Sequence, residues 1–173
     1  MDPKDNLEFC ELNLLNDKGW DDAAKGCDFV MHVASPFINI EPKNENEYIR
    51  PAVDGTMRAL KAAKSAGVKR VVLTSSMVSM LGNADKSIDV DAETWTNIKG
   101  KNVSAYSKSK TLAEQAAWDF IKDQTDNTEM ELAVVNPGPV FGPSLSGDLS
   151  GASMSMFTQM IQGKMPMLPQ ASI

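Results

Sequence analysis

Tyr106 and Lys110 lie four residues apart at the head of a helical run, Tyr106-Ser107-Lys108-Ser109-Lys110-Thr111-Leu112-Ala113-Glu114. Side chains at that spacing share one helix face, about one turn from each other. A free phenol titrates near ~10, and a neighbouring ammonium favours the phenolate and lowers that value. The pair suits a tyrosine that moves a proton near neutral pH. Upstream, an apolar stretch ends in Thr74-Ser75-Ser76, and a serine hydroxyl brought alongside the phenol could hold a substrate oxygen. The chemistry such a trio serves is hydride transfer at a carbinol or carbonyl carbon. Alone, Tyr-x-x-x-Lys is a weak signal, because many helices carry it as an exposed pair. Its surroundings decide.

Those surroundings alternate between two periods. Leu7, Phe9, Leu12 and Leu14 read as a short strand. A short helix over Gly19–Lys25 ends at Gly26, a left-handed cap. Asp28–Ala34 is an almost unbroken apolar run, the pattern of a strand covered on both faces. Ile49, Ala52, Val53, Met57, Leu60 and Ala63 recur at spacings of three and four, which predicts a helix from about Glu47 to Ala66, stopped by Gly67. Pro51 is tolerable near its first turn. Lys69–Thr74 reads as the next buried strand, and Gly82 to about Val103 as a loop. The tyrosine helix runs from about Ala105 to Lys122, Glu131–Val135 is another strand, and a last amphipathic helix spans about Gly151–Gln162. Strands alternating with helices predict right-handed crossovers and a parallel sheet, an α/β chain. No repeat or linker divides residues 1–173, so one domain is expected.

Composition excludes several classes. The net charge of −6 leaves no basic patch to neutralise phosphates, which argues against nucleic acid. No apolar run approaches the ~20 residues of a membrane span. The polar start Met1-Asp2-Pro3-Lys4 is unlike a signal peptide, so a cytoplasmic location is expected. Cys10 and Cys27 lack metal or redox spacing and read as buried thiols. The single histidine, His32, sits in an apolar strand and reads as an uncharged structural residue. No metal site is expected.

The order of Cys27-Asp28-Phe29-Val30-Met31-His32-Val33-Ala34-Ser35-Pro36, Thr74-Ser75-Ser76, Tyr106–Glu114 and Asn136-Pro137-Gly138-Pro139-Val140-Phe141-Gly142-Pro143 resembles the extended short-chain dehydrogenase/reductases. The likeness covers essentially the whole chain and is strongest to the dihydroflavonol reductase-like aldehyde and ketone reductases. It implies a Rossmann-like, doubly wound parallel sheet that binds NADP or NAD, with NADP favoured. Tyr106 would then be the proton donor in carbonyl reduction, Lys110 its pKa-lowering neighbour and a ligand of the nicotinamide ribose, and Ser76 the holder of the substrate oxygen, with Ser75 second in line. Val33, Ala34 and Ser35 would flank the cofactor ribose, and Pro137 and Val140 the nicotinamide ring. Asn13 and Leu14 fall where the family usually has Asp-Leu beside the adenine. For Val33, Ala34 and Val140 a core role stays open, and for Ser75 a bond to its own backbone.

None of the eleven glycines forms the G-x-x-G-x-x-G turn that cradles a pyrophosphate. Against the family pattern, the first βαβ unit and the C-terminal substrate subdomain are therefore expected to be missing, leaving a partial fold. A strand at Leu7–Leu14 would then be detached or paired with Asp28–Ala34, and the chain alone would bind a dinucleotide weakly. The implied activity is that of an NAD(P)-dependent oxidoreductase on a small-molecule carbonyl or alcohol. A nucleotide-sugar epimerase or dehydratase and a non-catalytic remnant are the alternatives. The resemblance further implies a homodimer paired through the tyrosine helix and the helix before it.

Overall fold

The computed structural model describes residues 7–36, 42–82, 89–125, 130–145, 147–149 and 151–164. The polar start at 1–6, positions 83–88 of the expected loop and residues 165–173 lie outside them. Strands β1 (Phe29–His32), β2 (Arg70–Thr74) and β3 (Glu131–Val135) pair in parallel in the order β1-β2-β3. The register aligns Phe29 with Arg70 and Glu131, and Met31 with Val72 and Ala133. Helices α1 (Trp20–Ala24), α2 (Asn46–Ser65), α3 (Val78–Leu81) and α4 (Ala105–Lys122) complete a first compact unit, Met1–Asn136. A second unit, Pro137–Ile173, contains α5 (Ala152–Ile161). There the Phe141 and Phe157 rings lie 5.5 Å apart. The parallel α/β sheet is the one expected from the alternating periods, and it has the partial Rossmann-like architecture that the resemblance implied. Among the described residues no helix is long and apolar enough to cross a membrane.

Local rules account for most element ends. Ser104 caps α4 by accepting from the Ser107 N–H at 3.0 Å, satisfying one of the donors a helix start leaves unpaired. At the end of α2, Val68 N–H reaches the Ala63 carbonyl and Gly67 N–H that of Lys64. This closure needs a left-handed residue, and Gly67 supplies it at φ 72°. Pro51 sits in the second turn rather than the first, inside α2. Leu60, Ala63, Val68, Val71, Leu73, Ala117 and Met130 form the core, where α2 and α4 pack on each other and on one face of the sheet. Small buried residues on both helices (Ala52, Gly55 and Ala59; Ala113 and Ala117) favour a close approach.

The structure differs from the sequence reading in four places. Leu7–Leu14 is not a strand. No ladder reaches it; instead Arg58 holds the segment, donating from Nη1 to the Leu14 carbonyl at 2.6 Å and from Nε to Asp17 Oδ1 at 2.5 Å. The Leu14 side chain lies on α2 so closely that a Cβ on Gly55 would meet its Cβ at 3.0 Å. The segment is thus detached from the sheet, one of the two arrangements anticipated. Second, β1 is not covered on both faces: Phe29 is 63% and Met31 73% exposed, because the helices α2 and α4 pack on the Val30–His32 side. Third, Cys10 and Cys27 are exposed, not buried. Cys10 falls in the unpaired segment, and Cys27 just follows the α1 turn. Fourth, α3 went unread, since four residues are too few to show a helical period.

Candidate active site

Ser75-Ser76 follows β2, Val33–Ser35 follows β1, and Asn136 follows β3. All three segments therefore lie at the carboxyl edge of the parallel sheet, where open α/β folds place their ligands. Along that edge runs the first half of α4, which brings Tyr106 and Lys110 to the serines. The Tyr106 phenol is hydrogen-bonded to the Ser76 side chain. Lys110 Nζ donates to the Thr74 carbonyl at 3.2 Å. So the structure joins Ser76, Tyr106 and Lys110 around the tip of β2. Tyr48 of α2 backs the phenol edge-on, its ring centre 6.4 Å from that of Tyr106.

The electrostatics differ from the expectation in one respect. Burial raises the Tyr106 phenol above its ordinary value, the Ser76 bond opposes this, and the nearby Tyr48 adds to it. The expected lowering by Lys110 is not met, since Lys110 is not among the groups acting on the phenol; burial pulls its own ammonium down, with Glu114 opposing. At neutral pH Tyr106 is a protonated phenol, the form a proton donor requires. His32 is buried behind this edge, its ring 6.3 Å from that of Trp20. Burial first and the Lys110 charge second depress its pKa to about 4. It is neutral at pH 7, as its apolar setting implied.

The remaining candidates have distinct surroundings. Ser75 is buried, yet its Oγ has no hydrogen-bond partner among the described residues, so the reading that it bonds its own backbone is not met. Val33 and Val140 are 61% and 66% exposed and are not core. Ala34 is exposed and Ser35 half-buried. Asn13 Oδ1 accepts from the Leu15 N–H at 2.8 Å, a local turn, while Leu14 packs on α2. Leu12, Leu14, Trp20, Val30 and His32 line an apolar cavity of about 350 Å³. Pro137 and Val140 belong to the second unit, where the Val140 N–H donates to Ser153 Oγ at 3.2 Å.

Sequence reasoning missed the residues that brace Ser76. Glu114 Oε2 accepts from Ser79 Oγ at 2.7 Å and from Asn136 Nδ2 at 2.8 Å. A second brace holds α3. Thr96 Oγ1 donates to the Val78 carbonyl at 2.7 Å and accepts from the Gly82 N–H at 2.8 Å. A Cβ on Gly82 would stand 2.9 Å from Ser107 Cβ, so only glycine lets the end of α3 approach α4 this closely. The spacing of Glu114 one turn beyond Lys110 was visible; its partners in α3 and after β3 were not.

Comparison with known proteins adds a family match. The model of the NAD dependent epimerase/dehydratase family matches residues 2–170. The chain is 38% identical over 151 residues to tetraketide alpha-pyrone reductase 1 of Arabidopsis thaliana, covering 84% of this chain and 45% of the relative. It is 36% identical over 160 residues to cinnamoyl-CoA reductase CAD2 of Medicago truncatula, covering 88% and 48%. The crystal structure of yeast methylglyoxal/isovaleraldehyde reductase Gre2 complexed with NADPH superposes with a TM-score of 0.74 at 30% identity, covering 93% of this chain and 52% of that one. The chain thus spans about half the length of the relatives it matches.

Proposed function

This chain belongs to the NAD-dependent epimerase/dehydratase family, and from that premise we propose that it carries the proton-transfer site of an NADPH-dependent reductase acting on a small carbonyl compound. The observation that carries the reading is the bond between the Ser76 hydroxyl and the Tyr106 phenol, with Lys110 one turn away at the Thr74 carbonyl. Ser76 orients the substrate oxygen. Tyr106, protonated at neutral pH as a phenol ordinarily is, delivers its proton to that oxygen. Lys110, one turn away, holds the Thr74 carbonyl and stands where it can anchor the cofactor. The reductases named above, at 30% identity or more, favour this reading over a sugar-nucleotide epimerase.

Lys110 also fits a nicotinamide ribose. Its buried ammonium has three N–H donors and spends one on Thr74, leaving two for ribose hydroxyls. Exposed Val33 and Ala34 with Ser35 would form the adjoining wall, and Asn13 and Leu14 the adenine side. When bound, NADPH contributes the hydride that reduces the carbonyl carbon.

The test is Tyr106→Phe in the full-length protein, assayed for NADPH-dependent reduction of a panel of small aldehydes and ketones. General-acid loss predicts a fall in kcat of roughly 10²–10⁴-fold, with NADPH still bound as judged by fluorescence titration. Parental turnover in this variant would refute the assignment. Turnover of a sugar nucleotide in place of every carbonyl compound would replace it.

A further inference from the structure

Glu114 is a buried carboxylate that the proton transfer above does not use. It is 7% exposed and stands one turn beyond Lys110 on α4. Its Oε2 takes hydrogen bonds from Ser79 Oγ and Asn136 Nδ2. Those two groups converge on a single backbone oxygen: Ser79 Oγ lies 2.9 Å and Asn136 Nδ2 3.2 Å from the Ser76 carbonyl. The Ser79 N–H donates to the same oxygen at 3.0 Å, while the single proton of the Ser79 hydroxyl goes to Glu114. Asn136 Nδ2 stands 2.8 Å from Ser79 Oγ, which closes the cluster. A carboxylate accepts only, so Glu114 orients both donors. Without it, a buried hydroxyl and a half-buried amide lose a shared acceptor, and the Ser76 peptide loses the frame that fixes its donors.

We propose that Glu114 is a positioning residue for Ser76 and Lys110 together: through Ser79 and Asn136 it fixes the peptide that carries the Ser76 hydroxyl, and it stands one helical turn from Lys110 on the same face of α4. The inference rests on the reductase reading and deepens it. The titratable and charged groups around Lys110 are Glu114 and Tyr106 on α4, His32 on β1 and, behind the phenol, Tyr48 on α2. His32 is neutral at pH 7, and Glu114 is the group whose charge opposes the effect of burial on Lys110. The same side chain thus couples the placement of the oxygen-holding hydroxyl to the protonation of the lysine.

Glu114→Gln in the full-length protein keeps the volume and one acceptor oxygen but removes the charge. Expected is a roughly ten-fold lower kcat for carbonyl reduction at pH 7, with KM for the carbonyl changed by no more than about two-fold. The alkaline limb of the kcat–pH profile should move to lower pH, since the ammonium loses its negative neighbour. A limb that stays at the parental pH overturns the inference. Ser79→Ala keeps the charge and removes one link; its kcat should fall about three-fold or more with the limb unmoved. Parental kcat in Ser79→Ala overturns the inference as well, and that test stands if Glu114→Gln does not fold. Tyr106→Phe separates the two levels. If it is inactive while Glu114→Gln keeps the parental limb, the reductase reading survives and the role of Glu114 falls.

Discussion

His32 illustrates how a residue without a part in the chemistry can still govern behaviour. Its imidazole is neutral in the fold down to about pH 4, whereas in the unfolded chain it gains a proton near ~6.5. Above pH 6.5 both states are neutral and the group contributes nothing to pH dependence. Between 6.5 and 4 the unfolded state binds the extra proton, so stability falls as pH drops, by up to about 3 kcal/mol. Urea unfolding midpoints at pH 7 and pH 4.5 should separate, and His32→Gln should bring them closer together; equal separation in both proteins would refute the account. At this scale the sequence was informative where chemistry is local. Tyr106 and Lys110 sit at fixed spacing on one helix, and Ser76 lies two residues past the end of a strand. The raised phenol was not legible, because burial is a property of the packed chain. Glu114, Ser79 and Asn136 meet only after β2, α4 and β3 have assembled.

Among the elements, α4 was predicted with its observed bounds, and β3 likewise. Both have strong periods and clear stops. The stretch Leu7–Leu14 failed for the opposite reason: an alternating pattern makes a strand only where a neighbour offers hydrogen bonds, and the pattern alone does not name the neighbour. α3 failed through brevity. The cap of α4 is the element-level feature with the most direct test. Ser104→Ala removes the acceptor for Ser107 N–H and the 2.9 Å contact with Ser107 Oγ. A loss of about 1 kcal/mol in unfolding free energy is expected. Since Tyr106 is the second residue of this helix, fraying of the first turn should also lower kcat. A stability loss below ~0.3 kcal/mol in chemical denaturation would show that the cap is redundant.

The sheet of the first unit is covered unevenly. One face is covered by α2 and α4, while the other carries Phe29, Met31 and Val33 from the β1 side and Val135 from β3, each at least half exposed. β1 pairs on one side only, with β2. An open apolar face beside an unpaired edge favours association. The 173-residue chain on its own should sediment in a concentration-dependent way and bind a hydrophobic dye. Phe29→Lys with Met31→Glu should reduce both effects while changing stability by no more than about 0.5 kcal/mol, as surface substitutions usually do. Unchanged sedimentation in the double variant would locate the contact elsewhere. The apolar run Asp28–Ala34 revealed the strand but not which side would be covered, since coverage depends on the distribution of helices around the completed sheet.

The rod-like α4 has a consequence for descent. It holds the phenol, the ammonium and the carboxylate at successive four-residue steps, so a lineage inherits their spacing as one cassette. Inserting or deleting one residue between Tyr106 and Glu114 would turn part of that row by about 100° around the helix and break it.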